Sequence, residues 1–134
     1  MIIDTSAILA ILQNEEERRQ FNEAIEAAAT VRLSTATYVE TSIVIESRFG
    51  AAGLQDLDRF IEFAGIELVS VDSKQAKAAR AAFSTYGKGR HPAKLNFGDC
   101  FSYALSWIFG EPLLFKGDDF SRTDIVPACP REFQ

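Results

Sequence analysis

The chain opens with MIIDTSAILAIL (Met1–Leu12), in which a short apolar run is followed by one aspartate and then by a second apolar run. Met1–Ile3 is predicted to be a first β-strand, and Asp4 follows it directly. A helix is predicted to begin near Thr5 and to break near Asn14. This strand, polar turn and helix set the architecture, because the same alternation recurs along the whole chain.

Further strands are predicted where short apolar runs lie between turn signals, at 31–34, 67–71 and 112–115, with a short fifth strand at 124–128. Helices are predicted between them, at 15–29, about 35–49, 54–65, 72–87 and 99–110. Thr35 or Thr37 is expected to cap the second of these helices, and Gly50 and Gly53 mark its end and the next start. Strands separated by helices require crossover connections. The predicted fold is therefore a three-layer α/β/α sandwich with a mainly parallel sheet of about five strands.

Composition is that of one globular domain spanning residues 1–134, with 47% apolar and 25% charged residues. Cys100 and Cys129 are too few for a disulfide framework and form no zinc motif, which suits a reducing compartment. The opening lacks the features of a signal peptide, and no apolar stretch approaches the roughly 18 residues of a membrane span. We therefore expect a cytoplasmic protein with no membrane partner.

The net charge of −5 argues against a nucleic-acid partner, but the charges are unevenly distributed. No acidic residue lies between Ser73 and Gly98. The same segment contains the one histidine, His91, and six basic residues: Lys74, Lys77, Arg80, Lys88, Arg90 and Lys94. Two interpretations stay open: a solvated helix face followed by a loop, or a phosphate-binding surface.

Acidic residues follow two of the predicted strands, at the sheet edge where ligands bind in folds of this class. Asp4 follows the first strand, and Asp118 and Asp119 follow the strand at 112–115. Asp4 is equally well placed to cap the helix that begins near Thr5, and capping does not exclude binding. Ser6 could add a hydroxyl to the same site. Position alone does not separate Asp118 from Asp119.

Two more acids lie on predicted helices. Glu40 has Ala36, Ile43 and Val44 as its helical neighbours, so its carboxylate lies on a partly apolar face, where an unpaired charge is costly. The alternative is a solvent-exposed helix acid. Asp99 lies at a helix start, where Asn96 three positions earlier favours a capping box.

The fold would bring these carboxylates from separate parts of the chain towards one edge of the sheet, where they would repel one another. Divalent cations would neutralise such a cluster, and oxygen-only ligands favour Mg²⁺ or Mn²⁺ over zinc. Metal-assisted hydrolysis of a phosphodiester is the chemistry that this arrangement predicts.

Four segments, in this order, resemble the PIN-domain ribonucleases, in particular the VapC toxins of bacterial VapBC toxin–antitoxin pairs: MIIDTSAI, STATYVETSIVIESRFG, LNFGDCFSYAL and LLFKGDDFSRTDI. The resemblance spans nearly the whole chain. It implies an Mg²⁺-dependent endoribonuclease that acts as a toxin on RNA, a five-stranded parallel sheet and a homodimer. It also implies a cognate VapB-like antitoxin whose C-terminal segment blocks the active site.

The family motifs imply that the catalytic, metal-binding acids are Asp4, Glu40, Asp99 and, because the fourth acid precedes a phenylalanine, Asp119, with Asp118 as the alternative. The chain departs from many relatives at Lys116 and Gly117, where a threonine and an asparagine are common.

An RNA substrate would give the basic segment a role. Lys88, Arg90 and Lys94 precede Asp99, and we expect them to bind the RNA backbone beside the acidic centre.

Two rival functions share features of this pattern. A haloacid-dehalogenase-like phosphatase also has an aspartate after its first strand, but it needs another two positions on, where this chain has Ser6. A PIN-like module that binds protein or RNA without activity is the second rival, and the presence of all four acids argues against it.

Overall fold

A four-stranded parallel sheet forms the centre of the computed structural model, which describes residues 1–130. Its strands are β1 (Ile2–Ile3), β2 (Val31–Ser34), β3 (Ile66–Val69) and β4 (Leu113–Leu114). They lie in the order β3-β2-β1-β4, and every pairing is parallel. The opening strand of the sequence is thus an interior strand, hydrogen-bonded on both sides.

The predicted fifth strand at 124–128 is wrong, as is the count of five that the family resemblance implied. Only one parallel bridge joins Leu113 to Pro127. The Leu113 N–H donates to the Val126 carbonyl at 2.9 Å, and the Ala128 N–H donates to the Leu113 carbonyl at 2.8 Å. Pro127 has no N–H, so it cannot extend a hydrogen-bonded ladder.

Five helices connect the strands: α1 (Thr5–Leu12), α2 (Arg18–Ala27), α3 (Thr35–Phe63), α4 (Ser73–Tyr86) and α5 (Phe97–Phe109). Gly50 divides α3 into two segments, as the glycines predicted, because its φ of 66° and ψ of −157° are not helical. A positive φ of this kind favours glycine. Within residues 1–130, no helix is long and apolar enough to cross a membrane.

The core lies on both faces of the sheet, which confirms the three-layer prediction. Successive side chains of a strand point to opposite faces. Ile3 and Leu114 accordingly pack in one cluster, with residues of α1 and α3, whereas Ile2 and Leu113 pack in the other, with residues of α4 and α5. The two-residue strands β1 and β4 therefore each contribute to both halves of the core.

Polar residues at the strand ends begin the helices with little or no loop. Asp4 caps α1 by accepting a hydrogen bond from the Ser6 N–H. The predicted cap of α3 at Thr35 or Thr37 is wrong: Ser34, the last residue of β2, accepts the N–H of Ala36 at 3.2 Å. This direct passage from strand to helix places the first turns of α1 and α3 at the carboxyl edge of the sheet.

Candidate active site

Four elements bring the predicted acids to this edge. Asp4 lies between β1 and α1, Glu40 lies near the start of α3, and Asp99 lies in the first turn of α5. Asp119 follows β4 and immediately precedes a short 3₁₀ helix, Phe120–Arg122. The negative charges of Asp4, Glu40 and Asp119 all act on Asp99. The structure therefore places the four acids in one electrostatic neighbourhood.

Asp4 is buried, with 3% of its surface exposed, and both of its oxygens are bound. Oδ2 accepts the Ser6 N–H at 3.1 Å and the Ser6 hydroxyl at 2.8 Å. Oδ1 accepts the Ser102 hydroxyl at 2.5 Å. The Ser6 hydroxyl in turn accepts the Lys116 N–H at 3.0 Å, just beyond β4. Asp4 is a helix cap, as predicted, and its carboxylate is also fixed by contacts from two other parts of the chain.

Glu40 is half-buried, and its carboxyl group contacts two other elements. Oε1 accepts the Thr5 hydroxyl at 2.7 Å. Oε2 lies against Gly98, where a β-carbon would be only 1.7 Å away. Burial raises the pKa of Glu40, the Thr5 hydrogen bond opposes that rise, and the charge of Asp4 adds to it. Glu40 is thus partly buried and not the solvent-exposed helix acid of the alternative, and a side chain at position 98 would displace its carboxyl group from this position.

Asp99 forms the predicted capping box of α5. Its N–H donates to the Asn96 side chain at 2.8 Å, and its Oδ2 accepts the Asn96 N–H at 3.0 Å. The helix begins two residues earlier than predicted, at Phe97. Burial raises the pKa of Asp99 to about 7; the bond from Asn96 opposes this rise, and the charges of the other three acids add to it. The Asp99 carboxyl therefore caps the helix in surroundings that disfavour its charged form.

The two aspartates after β4 are both exposed. Asp119 is the acid whose charge is felt at Asp99. The next residue, Phe120, is buried and packs edge-on against Phe115, with 5.2 Å between ring centroids. The carbonyl of Asp118 accepts the Ser121 hydroxyl at 2.6 Å. Anchoring by Phe120 fixes the backbone next to Asp119, whose role as the fourth acid stays a prediction.

The donor set suits a hard divalent cation, although the acids are not drawn together around a single point. Within residues 1–130, no group of three or more acidic, histidine or cysteine side chains is arranged to hold a metal ion. Mutual repulsion opposes a closer approach of the charged groups, and hydroxyl and N–H donors satisfy individual oxygens. Carboxylate oxygens alone match Mg²⁺ or Mn²⁺. Burial raises the pKa values of Glu40 and Asp99 and the neighbouring acids add to the rise, so a bound cation would favour the charged form of both groups. The residues fit the ion, provided that their side chains move inward to share it.

The predicted RNA-binding residues lie on the loop that leads into α5. Lys88, Arg90 and Lys94 are all exposed. His91 has a local structural role in this loop, because its Nδ1 accepts the Ala93 N–H at 3.0 Å. The loop therefore presents three exposed basic side chains, of which the Arg90 guanidinium lies over the Phe83 ring of α4, 5.9 Å from its centroid.

Sequence reasoning missed five residues that contact the acids or one another: Thr5, Thr37, Thr41, Gly98 and Ser102. The density of hydroxyl residues in STATYVETS, around Glu40, was an available signal. No signal in the sequence indicated the contact between Glu40 and Gly98, because these residues belong to different helices.

Two comparisons with known proteins match nearly the whole chain. A model of the PIN domain matches residues 1–126. Ribonuclease VapC30 of Mycobacterium tuberculosis is 55% identical over 126 residues, which cover 94% of this chain and 96% of the relative.

Solved structures share the fold at low sequence identity. VapC20 of Mycobacterium tuberculosis, described as a sarcin-ricin loop cleaving toxin, superposes with a TM-score of 0.77 at 17% identity, over 96% of this chain and 98% of the other. A toxin–antitoxin complex from Klebsiella pneumoniae superposes with a TM-score of 0.64 at 20% identity, over 90% and 89%. The match of the PIN-domain model to residues 1–126 and the 55% identity to a VapC ribonuclease lead to one conclusion. The chain belongs to the PIN-domain family and, within it, to the VapC ribonucleases.

Proposed function

We propose that the protein is a divalent-metal-dependent endoribonuclease that acts as the toxin of a toxin–antitoxin pair, with Mg²⁺ as its ion and Mn²⁺ as a functional substitute. The observation that supports this most directly is the electrostatic coupling of Asp99 to three other acids from separate parts of the chain. Membership of the VapC ribonucleases supports the reaction class and the RNA substrate.

The four acids would hold the cation: Asp4, Glu40, Asp99 and Asp119. When bound, the ion supplies an activated water and stabilises the negative charge that develops at phosphorus. The chain's own contribution is to fix the donors. Ser6 and Ser102 hold Asp4, the Asn96 N–H holds Asp99, and the Thr5 hydroxyl holds Glu40. These bonds restrict the carboxylates in the metal-free protein, and the side chains would move inward from these positions to share the ion.

The proposed partners follow from the family. A VapB-like antitoxin would close the acidic site with its C-terminal segment, in line with the toxin–antitoxin complex that shares this fold. Homodimerisation and a cytoplasmic location are proposed on the same family basis. RNA would approach over the loop that bears Lys88, Arg90 and Lys94, because its phosphates need positive charge next to the acidic centre.

Loss of a metal-binding acid should abolish cleavage of total cellular RNA in Mg²⁺. Asp4→Asn and Asp99→Asn should each lower the rate by more than about 100-fold, since removing even a supporting partner of a metal ligand costs about 10–100-fold. Asp119→Asn should lower activity and metal affinity more than Asp118→Asn does. Cleavage is followed on gels, and Mn²⁺ affinity by calorimetry.

Asp56→Asn is the matched control, because Asp56 is an exposed acid whose ion-pair partner, Arg59, lies on the same helix. It should leave cleavage unchanged. Equal activity of the wild type and Asp99→Asn would refute the proposed site, and a wild type inactive on any RNA would favour the binding-module alternative. A larger loss in Asp118→Asn than in Asp119→Asn would place the fourth acid one residue earlier.

Replacing Lys88, Arg90 and Lys94 together with alanine should weaken RNA binding and lower its salt dependence. Each lost phosphate contact removes about 0.7 from the slope of log K against log salt for a single strand, so the expected change is about 2. Binding is measured by fluorescence anisotropy without divalent ions, so that the RNA stays intact.

The control triple replaces three exposed basic residues of α4 with alanine: Lys74, Lys77 and Arg80. It removes the same charge from the same basic segment. If both triples lower affinity and slope equally, only net charge matters and the loop is not a specific RNA contact.

Metal-free protein should lose stability as pH rises through the range in which Asp99 ionises. The folded state binds this proton more tightly, with a pKa of about 7 against an ordinary 3.8, so ionisation costs free energy only in the folded state. The Asp99 contribution is fully present below the lower value and is lost between pH 3.8 and about 7. Urea unfolding across this range should show a steeper decline for the wild type than for Asp99→Asn. Parallel curves would contradict the raised pKa.

A further inference from the structure

Four buried hydroxyl groups lie between the two acids that follow β1 and β2. They belong to Thr5, Thr37, Thr41 and Ser102, and their residues are 8%, 0%, 0% and 0% exposed. We propose that this hydroxyl network positions Asp4 and Glu40, and that Ser102 and Thr37 are positioning residues of the active site. The inference rests on the proposed function, because it assigns these hydroxyls to the placement of metal-binding acids.

The branch towards Asp4 has a fixed direction. Ser102 donates its hydroxyl hydrogen to Asp4 Oδ1 at 2.5 Å. A serine hydroxyl has one hydrogen, so the 3.3 Å contact between Thr37 and Ser102 must be donated by Thr37. The other Asp4 oxygen is held by Ser6. Asp4 is therefore fixed from α1 on one side and from α5, supported by α3, on the other.

The contact with Glu40 is direct. Thr5 donates its single hydroxyl hydrogen to Glu40 Oε1 at 2.7 Å. The Thr41 hydroxyl lies 2.9 Å from the Thr5 hydroxyl and 2.8 Å from the Thr37 carbonyl, and it can donate to only one of them. Thr5 therefore holds Glu40, whereas Thr37 acts through its side chain on Ser102 and Asp4.

Packing alone does not account for these residues. A buried hydroxyl is costly unless it is hydrogen-bonded, and alanine or valine would fill similar space without that cost. Ser106, one turn along α5, shows the ordinary structural use of such a group, because its hydroxyl donates to the Glu111 carbonyl at 2.6 Å. The hydroxyls of Ser102 and Thr5 end instead on the carboxylates of the candidate active site.

Ser102→Ala and Ser106→Ala form a matched pair, since both remove one buried hydroxyl from α5. Calorimetry with Mn²⁺ and cleavage of RNA should show about 10-fold weaker metal affinity and a slower reaction for Ser102→Ala. Ser106→Ala should leave both unchanged while lowering resistance to urea. If both variants lose only stability, the hydroxyls serve the core and the proposal is overturned.

Thr37→Val and Thr37→Ser separate the hydroxyl from the shape of the side chain. Valine keeps the shape and removes the hydroxyl, so it should weaken Mn²⁺ binding, whereas serine keeps the hydroxyl and should retain it. Equal affinity of the two variants would contradict the network.

A wild type that neither binds Mn²⁺ nor cleaves RNA would refute the proposed function and not this inference. The network is then tested in metal-free protein by the ¹³C chemical shift of the Asp4 side-chain carboxyl. Ser102→Ala should shift that resonance and Ser106→Ala should not. An unmoved Asp4 resonance in Ser102→Ala would overturn the positioning role.

Discussion

Burial of acidic side chains at the carboxyl edge of the sheet, made more costly by their mutual repulsion, is the constraint on which the site depends. Asp4 is almost fully buried, and burial raises the pKa values of Glu40 and Asp99. The neighbouring acids add to both rises. A protein without a use for these acids would gain folding stability by replacing them. Their presence therefore indicates that they serve a function that outweighs the loss of stability.

The fold supports the cluster with few residues. Strand β1 has only two residues, yet it pairs with both β2 and β4 and contributes to the core on both faces. Its interior position fixes the backbone on which Asp4 stands. The first turns of α1 and α3 follow their strands directly, so Asp4 and Glu40 are positioned by the sheet and not by long loops. Placement on regular elements is more precise than placement on loops.

Much of this arrangement could be predicted from the sequence, because it depends on local patterns. Asp4 after an apolar run, and Asp99 three residues after Asn96, have positions that both capping and ligand binding explain, and the structure shows the caps. The predicted fifth strand failed because an apolar segment interrupted by Pro127 pairs at one residue only. The α3 cap was misassigned because serine and threonine stand side by side at the end of β2 and have similar capping chemistry.

Other features required the tertiary structure. The contact of Glu40 with Gly98 and the hydroxyl contacts Thr5–Glu40 and Thr37–Ser102 join residues far apart in sequence, and no periodicity in the sequence indicates them. Asp118 and Asp119 are equivalent by position after a strand, so local pattern could not separate them.

Anomalous X-ray diffraction from crystals grown with Mn²⁺ would show whether these acids bind a divalent cation. We expect an anomalous peak at the carboxyl edge of the sheet, within coordination distance of Asp4 and Asp99, with Glu40 and Asp119 directed towards it. Crystals of Asp4→Asn grown in the same way should lack the peak. An Mn²⁺ peak found only elsewhere in the protein, or no peak in wild-type crystals at saturating Mn²⁺, would show that these acids do not form the metal site.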